Sequence, residues 1–280
     1  MTSEPEDIPL SQPQAASLPG ALGLKTPQVV AIVGSGGKTT LLETLGQELA
    51  AAGEPVVVTT TTHILPPKAG RQQGPWLLGS REPSPEEISV RLSKGTPLLA
   101  AGRYTAEGKL SGLDFEQIQA LHSVQGLWVL AEADGAARRP LKAWADWEPA
   151  VPPQTGCLVV MAGASGLGRP LQKEWVHRPE IFARISGLSL GQRLTPTALA
   201  KVLTSEGGPL KALPAGAQAV LVINQAEAAS ASQLKELAQA LDTKNQDLPS
   251  NRRYVRILAG SLRQGRLRKL IASDIGLYSG

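Results

Sequence analysis

A chain of 280 residues with 42% hydrophobic content can pack one large α/β core or two small ones, and with 4% aromatic content that core is aliphatic. The formal charge of +4 is spread without a dense Lys/Arg block or basic–aromatic interleaving, which argues against a nucleic-acid partner and suits an anionic small molecule. A single cysteine, Cys157, excludes an internal disulfide framework and a cysteine-cluster metal site.

Residues 1–26 are rich in Pro, Ser, Gln and Ala without a sustained period and read as a flexible extension. Their acidic start (Glu4, Glu6, Asp7) lacks the basic-then-apolar order of a signal peptide, and no apolar run approaches membrane-spanning length. A cytoplasmic protein with no membrane partner is the expectation.

From residue 27 to 280 the pattern is regular, and one domain is expected. A buried strand at about 28–33 runs into Gly34-Ser35-Gly36-Gly37-Lys38-Thr39-Thr40, after which Leu41, Leu42, Leu45 and Leu49 mark a helix that stops at Gly53. Val56–Val58 is a short strand leading into Thr59, Thr60, Thr61, Thr62 and His63. A loop with Pro66, Pro67, Gly70 and Gly74 follows, then a helix with Ser84 as N-cap, Pro85 in its first turn and Glu87 as capping-box partner, ending at Gly95. A strand near 97–101 precedes a helix capped by Asp114, with Phe115, Ile118 and Leu121 on its apolar face. Leu127–Ala131 is a buried strand opening into Glu132-Ala133-Asp134-Gly135.

In the second half Leu158–Met161 reads as a strand, with Cys157 as a buried inert thiol beside it. Thr195-Pro196 starts a helix through Val202, and Ala219–Ile223 is a strand ending at Asn224. Ser232 begins a helix with Leu234, Leu237, Ala238 and Leu241 inward, and Tyr254–Leu258 is expected to be the last strand. Continuous apolar strands alternating with amphipathic helices predict a three-layer α/β/α fold with a mostly parallel sheet covered on both faces.

Ligands of such sheets gather at the carboxyl ends of the strands, and every unusual polar cluster falls at such an end. The glycine segment is expected to be a phosphate-binding loop: bare backbone N–H groups and a helix N-terminus around a phosphate, with Lys38 adding a full charge and Thr39 a hydroxyl for Mg²⁺. Its spacing is short, since Ile32 stands where the first glycine of G-x-x-x-x-G-K-[ST] would be. The loop thereby resembles the G-x-x-G-K-T loops of Mur-type ligases, whose extra domains 280 residues leave no room for.

Glu132 and Asp134 are expected to divide the work of holding Mg²⁺ with Thr39 and acting as a general base. Thr59–Thr62 and His63 suit a switch or phosphate contact. Arg138, Arg139, His177 and Arg178 are candidates for holding an anionic second substrate. Lys142 is either a further clamp or part of a solvated basic loop. Trp144, Trp147 and Trp175 either wall a pocket or cover a core edge. Asn224 occupies the place where GTPases read guanine with N-K-x-D, but Gln225 and Glu227 replace the lysine and acid, so ATP or GTP stays open.

Together, Val33–Thr40, Val58–Ile64, Glu132–Ala136, Arg139–Ala143 and Val176–Glu180 resemble the YqeC family over most of 28–260. The family is described as selenium-dependent hydroxylase accessory proteins linked with selenium cofactor biosynthesis. The resemblance implies a P-loop NTPase-like fold and a role in maturing selenium-dependent molybdenum hydroxylases. Departures fall at Asp146-Trp147-Glu148, where relatives are expected to carry a histidine-like polar residue, and in the proline-rich segment before 27. The expected function is an Mg²⁺-dependent NTPase or an NTP-dependent phosphoryl or nucleotidyl transferase. The alternative is a nucleotide-gated accessory protein that switches or delivers a partner without transferring a group.

Overall fold

The computed structural model describes residues 17–64, 74–92 and 95–270. In chain order its strands are β1 (Val29–Gly34), β2 (Val56–Thr60), β3 (His63–Ile64), β4 (Trp76–Leu77), β5 (Leu98–Ala101), β6 (Leu110–Ser111), β7 (Trp128–Glu132), β8 (Leu141–Lys142), β9 (Thr155–Gly163), β10 (Val176–His177), β11 (Gln218–Asn224), β12 (Tyr254–Ser261) and β13 (Arg266–Lys269). The helices are α1 (Leu18–Leu22), α2 (Lys38–Ala51), α3 (Pro85–Arg91), α4 (Phe115–His122), α5 (Pro179–Ser186), α6 (Pro196–Leu203) and α7 (Ala231–Asp247).

Among the described residues nine strands form one sheet in the order β13-β12-β11-β9-β1-β7-β2-β5-β4. Every neighbouring pair is parallel except β12–β13. The sheet is buried on both faces because its central strands are apolar at every position rather than at alternate ones. Along β1, Ala31 and Val33 enter the cluster built with α5, α6 and α7, while Val30 and Ile32 enter the cluster built with α1 and α2. Val29, Val57 and Val129 join Ile88 of α3 and Ile118 of α4 in a third cluster. The result is the expected three-layer α/β/α arrangement.

The segment read as a flexible extension is partly ordered. Ser17 caps α1, and Leu18, Leu22 and Leu24 bury against Leu41, Leu45 and Leu49 of α2. The Leu18 N–H donates to Glu48 Oε2 at 2.7 Å. A helix of five residues spans too little chain to show a period.

Four further expectations differ. Helix α3 ends at Arg91, before Gly95. Phe115 is 37% exposed, because as the first residue of α4 it lies beside the Ile118–Leu121 stripe rather than in it. Helix α7 is capped by Ser230, not Ser232: Ser230 Oγ accepts from Gln233 N and the Gln233 side chain returns to Ser230 N, a complete capping box. Strand β12 is followed by β13, whose Arg-Leu-Arg-Lys sequence has no apolar run because an antiparallel edge needs only one covered face. The loop residues Pro66, Pro67 and Gly70 lie outside the described residues.

Among the described residues no helix is long and apolar enough to cross a membrane. Cys157 is buried in β9, and desolvation pushes its thiol up to about 12. Native protein is therefore expected to resist alkylation by iodoacetamide at mildly alkaline pH and to label fully once unfolded in urea, as read by mass spectrometry. Stoichiometric labelling of the folded protein would contradict this placement.

Candidate functional site

The parallel register brings the strand ends to one edge. Ile32 pairs with Glu132, Thr60 with Glu132, Gly34 with Met161, and Asn224 with Gly163. The glycine loop crosses this edge between β1 and α2, packed so closely that side chains have no room. Gly36 has φ +76°, and a Cβ there would fall 2.5 Å from the Gly163 backbone. Gly37 has φ +138°, and its Cβ would land on the Asn224 amide. Helix α2 begins at Lys38 without a side-chain cap, so the N–H groups of its first turn have no side-chain acceptor.

Lys38 is buried and its ammonium turns back onto the loop, donating to the Gly34 carbonyl at 2.8 Å. It lies 3.3 Å from Asp134 Oδ1 and 3.5 Å from Glu132 Oε1. The two carboxylates, neighbours on one strand end, have different surroundings. Asp134 is 1% exposed and surrounded by donors: Gly34 N at 2.9 and 3.0 Å, Lys142 Nζ at 3.0 Å and Trp144 Nε1 at 2.8 Å. Glu132 reaches the mouth of the loop, where Thr39 Oγ1 donates to its Oε2 at 3.3 Å. Burial raises the Glu132 carboxyl above the ordinary range, against the pull of Lys38.

Thr39 Oγ1 and Glu132 Oε2 therefore supply hard oxygen ligands at the entrance, a donor set that fits Mg²⁺. Asp134, with its oxygens already accepting from the protein, does not share that entrance. Among the described residues no group of three or more His, Cys, Asp or Glu is placed to cage a metal.

The other predicted residues are placed as follows. Ser35 Oγ donates to the Pro140 carbonyl at 2.9 Å, tying the loop to the segment after β7, while Thr40 sits in the first turn of α2. Thr59 is fully buried in β2. Thr60 Oγ1 donates to Glu132 O at 2.8 Å and accepts from Thr62 N at 3.0 Å, with Thr62 Oγ1 3.2 Å away. Thr61 Oγ1 donates to Ala150 O at 2.8 Å. This threonine run stitches β2 to β7 and to the loop before β9. His63 is exposed on the small β3–β6 ribbon. Asn224 is a strut: its amide donates to Gly36 O at 2.8 Å and accepts from Leu262 N at 3.0 Å.

The remaining candidates meet on a second ribbon, β8–β10, where His177 pairs with Lys142. Arg139, His177 and Arg178 line a cleft of about 310 Å³ together with Lys173, Val176 and Pro179. Arg138 is exposed, in left-handed backbone, and is not part of that lining. The cleft adjoins the glycine loop, since Pro140, next to Arg139, accepts from Ser35 Oγ. Burial lowers the pKa of His177, reinforced by Arg178 and Lys142. Trp144 is buried against Asp134, Trp147 is 78% exposed with Arg178 over its ring, and Trp175 lies under Arg169.

Lys142, Trp144, Glu148 and Lys173 adjoin these candidates in ways that sequence spacing did not reveal. Lys142 is fully buried, between Asp134 at 3.0 Å and Glu148 at 3.2 Å, and Glu148 also binds Arg178. Desolvation lowers the Lys142 pKa against the pull of both acids. The available signal was its apolar frame, Leu141 before it and Ala143-Trp144-Ala145 after it, which is a poor setting for a solvated loop. The result is a chain of alternating charge, Lys38–Asp134–Lys142–Glu148–Arg178, running from the glycine loop to the cleft.

Fold and site together define a three-layer α/β/α protein whose glycine loop, lysine and strand-end carboxylates share the carboxyl edge of a mostly parallel sheet. A family model described as YqeC protein matches residues 30–180, a span that holds the loop, both carboxylates and the β8–β10 ribbon. The uncharacterized protein YqeC of Escherichia coli (strain K12) is 33% identical over 222 residues, covering 78% of this chain and 84% of that protein. The chain belongs to the YqeC family. No solved structure gives a significant match.

Proposed function

We propose that the chain binds a nucleoside triphosphate with Mg²⁺ at Gly34–Thr40, and that it uses this nucleotide in the maturation of selenium-dependent molybdenum hydroxylases. The observation that carries the nucleotide reading is Lys38. Its ammonium lies at the base of an uncapped helix N-terminus, behind two close-packed glycines, on the edge where parallel sheets bind ligands. The selenium role rests on the family resemblance alone.

In this reading the N–H groups of the loop and of the first turn of α2 hold phosphate oxygens, and Lys38 leaves Gly34 O to pair with them. Thr39 and Glu132 hold Mg²⁺, which neutralises charge between the outer phosphates when bound. Asp134 positions rather than reacts: it fixes the Gly34 N–H and Lys142, and so the shape of the loop. Asn224 anchors the same loop from the far side, and base identity is left to other contacts, so both ATP and GTP are candidates.

A thermal-shift screen tests this. Nucleotide at about 100 times its Kd should stabilise the fold by about 2.7 kcal/mol, with ATP or GTP effective and Mg²⁺ required. No shift with any nucleoside triphosphate plus Mg²⁺ would rule the reading out. The engagement of Asp134 favours the second reading, a nucleotide-gated accessory protein. With that acid committed to the loop, Glu132 is left to the metal, and among the described residues no second carboxylate stands at the entrance to serve as general base. Hydrolysis measured with and without candidate acceptors separates the two: slow basal turnover that a partner protein accelerates supports gating, and transfer to a small molecule supports the enzyme.

A further inference from the structure

We propose that the cleft between the Arg139 loop and the start of α5 binds a small molecule through a phosphate group. The inference goes beyond the nucleotide reading, concerns a different place in the molecule and does not require a nucleotide to be present.

The cleft has two unequal kinds of cation. Arg178 is spoken for, since Glu148 binds its guanidinium and Trp147 lies beneath it. Arg139 and Lys173 line the same space, and among the described residues their side chains have no hydrogen-bond or ion-pair partner. They come from different segments, Arg139 from the turn after β7 and Lys173 from the loop before β10. Arg139 is half-buried and Lys173 exposed, so both offer free donors to an anion that enters the cleft from solvent. Glu180 contributes a carboxylate at the exposed rim, which leaves the lining with an excess of positive charge.

Geometry and size narrow the anion. Donors on separate segments surround a tetrahedral phosphate better than a planar carboxylate, which offers its lone pairs in one plane. Helix α5 adds to this: it opens on the cleft with Pro179 in its first turn and no side-chain cap, so its first N–H groups lack a side-chain acceptor. A volume of about 310 Å³ is at the small end for ligand sites, enough for a phosphate and a short carbon skeleton against Val176 and Pro179. Pro140, between this cleft and Ser35, makes it a neighbour of the glycine loop.

Inorganic phosphate and glycerol 3-phosphate are the probes, titrated by calorimetry without nucleotide, with malate as the carboxylate control. Because the glycine loop can also take phosphate, the titrations run on the wild type and on Lys38→Ala, Arg139→Ala and Lys173→Ala proteins of matched melting temperature. The expected result is binding of phosphate that survives Lys38→Ala and weakens about tenfold or more in Arg139→Ala and in Lys173→Ala, with Lys173→Arg restoring it. Tighter binding of glycerol 3-phosphate than of phosphate supports a phosphate ester as occupant, and equal binding supports the free oxyanion. Loss of binding in Lys38→Ala alone overturns the proposal by moving the anion to the glycine loop. So does the absence of phosphate binding at millimolar concentration, or malate binding more tightly than either phosphate. A wild-type protein that still shifts with Mg²⁺-nucleotide while ignoring both phosphates fails this inference and leaves the nucleotide reading standing.

Discussion

Replacing Lys38 by alanine is expected to weaken Mg²⁺-nucleotide binding by roughly 100-fold or more, the scale of losing one charged donor from a phosphate cluster in a sheltered site. The fold should survive. Some stability is lost because Glu132 gives up its cation and keeps only Thr39, while Asp134 keeps Gly34 N, Lys142 and Trp144 as donors. A melting temperature within a few degrees of wild type, with the nucleotide-dependent shift abolished, is the outcome expected. Unchanged ATP and GTP affinity by calorimetry would remove Lys38 from the site and the nucleotide reading with it.

That separation of binding from stability depends on how the two acids divide, which the spacing of Glu132 and Asp134 does not show. Both stand at the end of an apolar run, and either can be pictured on a metal. What distinguishes them lies far off in the chain: Thr39 from α2 for Glu132, and Gly34, Lys142 and Trp144 for Asp134. Local signals were readable where local chemistry decides. The capping box at Ser84 and the N-cap at Asp114 fall where the spacing predicts, because their partners lie within one turn. The apolar strands are legible because a parallel strand buried on both faces needs every side chain apolar.

Elements stabilised by distant partners are the ones that spacing missed. Helix α1 exists because Leu18 and Leu22 find the leucine face of α2. The β8–β10 ribbon has two residues in each strand and no period, yet it sets Lys142 in the core and His177 at the cleft. Lys173 escapes notice in sequence because nothing near it repeats. Only the return of the chain before β10 brings it to the same cleft as Arg139.

The largest effect on stability is expected at Asp134. In Asp134→Ala the Lys142 ammonium loses one of its two acids while remaining fully buried, and the Gly34 N–H loses its acceptor. Breaking a buried pair from one side costs about 3–5 kcal/mol, which for a domain of this size lowers the melting temperature by roughly 10 °C. The positioning role and a role as metal ligand or base predict different behaviour for Asp134→Asn. Loop positioning predicts that even this isosteric change destabilises, because the amide brings a donor to a place crowded with donors. A ligand or base role predicts normal stability with lost turnover or metal dependence. The partner substitution sharpens the test. Removing both charges in Asp134→Asn with Lys142→Met should cost less than the two single changes summed, since neither leaves the other unpaired. Urea unfolding of the two singles and the double gives that coupling directly. Additive losses, or an Asp134→Asn protein as stable as wild type, would mean that the acid does not hold the loop.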